Sequence, residues 1–140
     1  MGRAKKPDSK GEDERPAKLR GGRILVVEDD PEVLKLVGDL LVDSGYLHLE
    51  ANNGEAALAA LAEASEPVVL VLIDMVMPGM NGMELYRKIA GTHPDLPVIF
   101  TTGYDAEVFR GSTPSECPII QKPYTPSDLL RLVRKVLGQA

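Results

Sequence analysis

Five side chains that could take part in chemistry stand in the sequence where short apolar runs end. They comprise three carboxylates, one hydroxyl and one ammonium: Glu28, Asp29, Asp74, Thr102 and Lys122. Taken singly, each is a common turn or cap residue. Because the carboxyl ends of parallel strands share one edge of a sheet, we expect all five to converge there if these runs are neighbouring strands.

Such a cluster predicts a metal site. Two unit negative charges about 4 Å apart repel each other by about 4 kcal/mol at an effective dielectric constant near 20, so Glu28, Asp29 and Asp74 need a cation between them. Hard carboxylate oxygens, without Cys or a well-placed His, favour Mg²⁺. A metal shared with a phosphate makes phosphoryl transfer to an aspartate the natural chemistry. Lys122 and Thr102 would then neutralise and hydrogen-bond the phosphate oxygens.

The strand that ends at Asp74 organises the rest of the chain. Residues 68–73 are six consecutive apolar residues, mostly β-branched. A strand with one solvated face would alternate, so this run predicts a central strand that is buried on both faces. Pro78, Gly79, Asn81 and Gly82 then break the regular backbone, which places Asp74 at the carboxyl end of the strand under a loop.

The other elements alternate along the chain. Further strands are predicted at 23–27, 46–51, 98–102 and 119–121, the one at 46–51 being half-exposed. Helices are predicted from 31 until Gly45, at 55–64, at 83–90, briefly at 106–110 and from the Thr125 cap to about 137. Five strand-then-helix units predict an α/β fold, a doubly wound five-stranded parallel sheet with helices on both faces.

Charge divides the chain into two parts. The net charge is −5 over 140 residues, but residues 1–20 carry seven Lys or Arg against four Asp or Glu. This segment has little to bury, so we expect a disordered tail or linker, followed by one domain at 21–140. The domain is acidic, which argues against nucleic acid as its ligand, because phosphate neutralisation requires a basic face.

Cysteine usage and hydropathy indicate the compartment. The single Cys117 cannot form an internal disulfide, which is typical of a reducing environment. No apolar run reaches the roughly 18 residues that a membrane span requires, and the amino terminus is charged. We therefore expect a cytoplasmic domain with no membrane contact.

The motifs together resemble a known family, the receiver domains of bacterial two-component response regulators. The resemblance covers residues 23–137 and is carried by Ile24-Leu25-Val26-Val27-Glu28-Asp29-Asp30, by Asp74-Met75-Val76-Met77-Pro78-Gly79-Met80-Asn81-Gly82, by Thr102-Gly103-Tyr104 and by Lys122-Pro123-Tyr124. It implies the flavodoxin-like strand order 2-1-3-4-5 and a cis peptide bond between Lys122 and Pro123.

The resemblance also implies residue roles. Asp74 corresponds to the phosphoacceptor, and Glu28 and Asp29 to the acidic pair that holds Mg²⁺ together with the backbone carbonyl of Val76. Thr102 resembles the switch hydroxyl and Lys122 the phosphate-binding lysine. The implied function is not that of an enzyme but of a phosphorylation switch, one that assists its own phosphotransfer and dephosphorylation.

The implied partners follow from the same resemblance. A histidine kinase or a histidine-phosphotransfer domain would donate the phosphoryl group, and a downstream or in-cis effector would respond. Thr102-Gly103-Tyr104 and the Pro- and Gly-broken stretch at 111–118 are similar to receivers of hybrid histidine kinases. Ile119 stands where the family often has an aromatic residue, so the usual coupling of the switch hydroxyl to an aromatic ring is not implied.

Other functions fit the residues less well. An aspartate-nucleophile phosphatase typically needs a second acid two residues after its nucleophile, where this chain has Val76. A flavin or dinucleotide carrier would need a Gly-rich turn after the first strand, but the turn here is acidic and repels phosphate. A module that is never phosphorylated would leave the complete set of acids, hydroxyl and lysine unexplained.

Overall fold

The computed structural model describes residues 22–104, 106–109 and 111–138. Five strands alternate with four α-helices and a short 3-10 helix. The strands are β1 (Arg23–Val27), β2 (His48–Ala51), β3 (Val68–Asp74), β4 (Val98–Thr102) and β5 (Ile119–Gln121). The α-helices are α1 (Pro31–Asp43), α2 (Gly54–Glu63), α3 (Gly82–Thr92) and α4 (Pro126–Val136), and the 3-10 helix is Ala106–Phe109.

All strands are parallel, and the sheet order is β2-β1-β3-β4-β5. The central strand β3 pairs with β1 and β4, and its inner residues are buried. Asp74 lies beside Thr101 of β4, and Thr102 lies beside Gln121 of β5. The predicted fold class and the 2-1-3-4-5 order are therefore confirmed, and the strands that end at the candidate residues are neighbours.

Two apolar layers cover the sheet. One contains side chains from α1 and α4, including Leu41, Leu129 and Val133, packed with Ile24 and Leu70 of the sheet. The other, packed on the opposite face, contains side chains from α2 and α3, including Ala57, Leu85 and Ile89. Burial of these helix stripes fixes both faces of the sheet, as predicted.

Polar side chains cap the amino-terminal ends of these helices. Asp30 caps α1 by accepting from the Glu32 amide, and Asn53 caps α2 by accepting from the Ala56 amide. Thr125 caps α4 in the predicted capping box. These side chains satisfy backbone N–H groups that have no partner within the first helical turn.

Several boundaries differ from the prediction. The second strand begins at His48 rather than at 46, because Tyr46 donates its backbone N–H to Leu41 and is buried against α1 before the strand begins. Helix α2 starts and ends one residue earlier than predicted, and α3 extends from Gly82 to Thr92. The short helix after β4 is a 3-10 helix, and Arg110, its predicted last residue, lies outside the described residues.

The predicted tail or linker at 1–20 also lies outside the described residues. The helices of the described part include none that is both long and apolar enough to cross a membrane.

Candidate functional site

The loop from β3 to α3 holds Asp74 at the carboxyl edge of the sheet. Its carboxylate is buried, with the whole residue 6% exposed, and Oδ1 accepts a hydrogen bond of 3.1 Å from the backbone N–H of Val76. The loop then returns, and the Gly82 amide donates to the Met75 carbonyl oxygen at 3.0 Å. The backbone of this short loop thus fixes one oxygen of Asp74.

Gly82 is needed for this return. An added Cβ would lie 2.7 Å from the carbonyl oxygen of Asp74 and 2.8 Å from the Cα of Met75. Both are backbone atoms, which cannot rotate away as the end of a side chain can. The first residue of α3 therefore packs directly on the residue that carries the candidate chemistry.

Glu28 lies at the end of β1, next to Asp74. It is 4% exposed, and its Oε2 accepts from the backbone N–H of Asp30 at 3.1 Å. Asp30 in turn is the N-cap of α1. The start of α1 therefore orients the Glu28 carboxylate.

Lys122 joins the two buried carboxylates. Its Nζ lies 2.7 Å from Oε1 of Glu28 and 3.4 Å from Oδ2 of Asp74. The backbone N–H of Lys122 donates to the carbonyl oxygen of Thr102 at 2.7 Å, which ties the end of β5 to the end of β4. The Lys122–Pro123 peptide bond is cis, as the resemblance implies. The shorter of the two ion pairs is the one to Glu28.

The three acids meet closely enough to share a cation. One carboxylate oxygen from each of Glu28, Asp29 and Asp74 lies within 4.8 Å of the others, with Asp29 exposed. Within the described residues, the one ammonium paired with this cluster is that of Lys122, which contacts Glu28 and Asp74, so the three carboxylates retain net negative charge. Mg²⁺ prefers hard oxygen ligands of this kind and keeps several waters, and the exposed Asp29 leaves a route to solvent. The residues present therefore fit a divalent cation.

Burial and neighbouring charge shift the ionisation of the site. Burial raises the pKa of Glu28, the charge of Asp74 adds to the rise, and the hydrogen bonds from Lys122 and Asp30 offset part of it. Burial by itself would lower the pKa of Lys122, but Glu28 and Asp74 outweigh it and the pKa is raised. The ammonium is thus held in its charged form, while the buried glutamate favours added positive charge.

Thr102 stands at the same edge. It is fully buried, and its Oγ1 accepts from the backbone N–H of Tyr104 at 3.0 Å. A Cβ at the following Gly103 would meet open space. The contribution of the Val76 carbonyl to a metal stays a prediction, since the observed contact of Val76 is made by its amide.

Tyr124 is a site neighbour to which the sequence assigned no role. Its ring is partly buried, burial raises the pKa of its phenol, and the charges of Lys122, Glu28 and Asp74 also act on it. Its place in Lys122-Pro123-Tyr124, two residues after the lysine, was the available signal. The two histidines lie elsewhere, with His48 Nε2 2.8 Å from Oε2 of Glu50 and His93 at the end of α3.

Comparison with known proteins identifies relatives of this fold and site. A family model described as response regulator receiver domain matches residues 24–134. The response regulator receiver protein CpdR of Brucella abortus (strain 2308) is 35% identical over 117 residues, which cover 82% of this chain and 96% of CpdR. The sensor kinase CckA of the same organism is 31% identical over 127 residues, covering 89% of this chain but 13% of the kinase.

A solved structure of a response regulator has a similar fold. The response regulator protein TrrA of Thermotoga maritima, in complex with Mg(2+)-BeF, is 32% identical with a TM-score of 0.72, covering 82% of this chain and 98% of TrrA. Family match, strand order and carboxyl-edge cluster all coincide. The chain belongs to the response regulator receiver domains of two-component systems.

Proposed function

We propose that Asp74 accepts a phosphoryl group from a phosphohistidine and that the domain changes conformation in response. The observation that supports this most directly is the buried Asp74 carboxylate, which lies 3.4 Å from the Lys122 ammonium and within 4.8 Å of two further carboxylates. Such a carboxylate is held in place and provided with a cationic partner. These are the requirements for a nucleophile that attacks phosphorus.

The transfer exchanges one bond for another. An oxygen of Asp74 forms a bond to phosphorus while the bond from phosphorus to the donor imidazole nitrogen breaks, and the electron pair returns to that nitrogen. Lys122 compensates the charge on the phosphoryl oxygens. The Val76 amide, which donates to Oδ1, keeps the carboxylate from rotating. Mg²⁺ held by Glu28, Asp29, Asp74 and the Val76 carbonyl would supply further positive charge.

The response begins at β4. Before phosphorylation, the Thr102 hydroxyl accepts a hydrogen bond from the Tyr104 amide. The phosphorylated aspartate attracts this hydroxyl. Movement of Thr102 would shift residues 103–118, where Tyr104 and Val108 are exposed apolar side chains. Ile119, partly buried against the α2/α3 layer, replaces the usual aromatic residue, so the shift reaches the surface through this connection.

The partner of this site is a histidine kinase or a histidine-phosphotransfer domain, and the receiver is the segment 21–140 with 1–20 as a tether. Similarity to CckA supports a receiver that is attached to a sensor kinase or that accepts phosphoryl groups from one. The effector that reads the phosphorylated state is a downstream protein or another domain of the same chain.

Removal of the acceptor gives the sharpest test. The full chain is incubated with Mg²⁺ and either acetyl phosphate or a phosphorylated histidine kinase, and aspartyl phosphate is measured by intact mass. We expect Asp74→Asn and chelation of Mg²⁺ each to abolish labelling. Asp39→Asn, an exposed acid paired with Lys35, should label like the parent. Labelling of Asp74→Asn at the parent's level would exclude Asp74 as the acceptor.

Loss of the ammonium should slow transfer rather than relocate it. Removing one charged donor from a phosphoryl or oxyanion site typically lowers the rate by about 100-fold or more. We expect Lys122→Gln to show a fall of about that size in the labelling rate, and Lys35→Gln, which removes an exposed lysine, to show none. An unchanged rate in Lys122→Gln would remove Lys122 from the proposed chemistry.

A further inference from the structure

A buried threonine next to the site has no role in the function proposed above. Thr101 lies on β4 beside Asp74 and is 6% exposed. Successive strand residues point to opposite faces, so Thr101 points to the same side as Ile99, a member of the α1/α4 layer. Its hydroxyl makes no hydrogen bond to any residue that the structure describes. Buried hydroxyl groups without a partner are rare in native proteins.

Thr101 lines a small, partly enclosed cavity. The cavity has a volume of about 10 Å³ and is lined by residues of β1, β3, β4 and α1 together with Glu28 and Tyr124. Its polar lining residues are Glu28, Thr101 and Tyr124, and the others are apolar. This volume is close to the smallest that accommodates one water molecule, and a buried water needs two or more polar partners.

We propose that this cavity binds a single structural water that bridges the Thr101 hydroxyl and the Glu28 carboxylate. The Oε1 atom of Glu28 already accepts from Lys122 and Oε2 accepts from the Asp30 amide. Each carboxylate oxygen can accept a second hydrogen bond, so a water has an acceptor available. The water donates to Glu28 and accepts the proton of Thr101.

The bridge makes Thr101 a positioning residue for the acidic cluster. Glu28 is then held from three directions: by Lys122 of the loop after β5, by the start of α1, and by β4 through the water. Second contacts of this kind orient metal-binding carboxylates, and their removal commonly lowers metal affinity by about 10-fold or more.

The water itself can be tested without any metal. High-resolution crystal structures of the full chain, parent and Thr101→Val, are compared. We expect a water within hydrogen-bond distance of Thr101 Oγ1 and Glu28 in the parent and none in the variant. Valine has the shape of threonine without its hydroxyl. A parent cavity without water, or a Thr101 hydroxyl bonded to a protein atom, would overturn the proposal.

The positioning of Glu28 by Thr101 rests on the proposed Mg²⁺ site, and its effect on Mg²⁺ affinity is measured by calorimetric titration with Mg²⁺ alone. We expect about 10-fold weaker binding in Thr101→Val and recovery in Thr101→Ser, which retains the hydroxyl. Ile99→Val, on the same strand and layer, controls for general loosening and should bind as the parent does.

The outcomes separate the two ideas. If Thr101→Val gains stability and binds Mg²⁺ as the parent does, Thr101 is only a packing residue and the positioning role is wrong. A parent that does not bind Mg²⁺ contradicts the metal site of the proposed function, and the crystallographic water then decides the present inference by itself.

Discussion

Two connections leave the centre of the sheet, and they are built differently. Residues 75–81 join β3 to α3 through buried Met75 and Met77, two hydrogen bonds at the turn and a capping box in which Asn81 and Glu84 bond to each other's backbone N–H. Residues 103–118 join β4 to β5, and the part of them that the structure describes contains the 3-10 helix Ala106–Phe109. The first follows the candidate acceptor and the second follows the candidate switch hydroxyl.

The two connections suit two different tasks, phosphoryl transfer and the conformational change that follows it. The proposed transfer to Asp74 requires a carboxylate held in one geometry, and the first connection supplies backbone contacts that fix it. A switch requires a segment with two accessible arrangements. Where the structure describes it, the second connection exposes Tyr104 and Val108 and contacts the sheet through bonds such as that from the Ala106 amide to Oε1 of Gln121. The carboxyl edge of the sheet thus carries two neighbouring connections, a rigid one at residues 75–81 and an adaptable one at residues 103–118.

Among substitutions in and beside residues 75–81, a change at Gly82 should destabilise the protein strongly. We expect Gly82→Ala to lower the free energy of unfolding by about 2–3 kcal/mol, because the new Cβ would clash with backbone atoms of Asp74 and Met75. Chemical denaturation measures the loss, and labelling with acetyl phosphate should fall with it.

Gly91→Ala is the matched control. Gly91 belongs to the same helix, and a Cβ there would have no neighbour within 4 Å. Alanine is favoured over glycine inside a helix by about 1 kcal/mol, so this variant should be more stable than the parent. If both variants shift in the same direction, the close approach at Gly82 does not constrain the loop.

The sequence predicted those parts of the site that depend on where strands end. Apolar runs followed by Glu28, Asp74 and Thr102 suffice, because a parallel sheet brings the carboxyl ends of neighbouring strands together. The sequence could not show that Lys122 lies closer to Glu28 than to Asp74, since that contact joins residues 94 positions apart and depends on packing. The boundary at Tyr46 was missed for a similar reason, since tertiary burial against α1 outweighed its β-propensity.

The cap of α3 should have a smaller effect than Gly82. Asn81→Ala removes the acceptor for the Glu84 amide, and loss of an N-cap costs about 1 kcal/mol. We expect that decrease in unfolding free energy, and little change in Asn81→Ser, since serine also caps helices. A decrease in Asn81→Ser as large as in Asn81→Ala would mean that the side-chain shape, not the hydrogen bond, holds the connection.

Substitution of an exposed residue in residues 103–118 should have the smallest effect on stability. Val108 is 66% exposed on the 3-10 helix, so Val108→Ser should change the free energy of unfolding by less than about 0.5 kcal/mol. Its counterpart in the first connection is Met77, which is buried, and Met77→Ala should cost about 3 kcal/mol because it leaves a cavity. Denaturation of both variants measures the contrast directly. A loss of about 2 kcal/mol in Val108→Ser would show that residues 103–118 are packed as firmly as residues 75–81, and the division between a fixed reacting loop and a movable responding one would then fail.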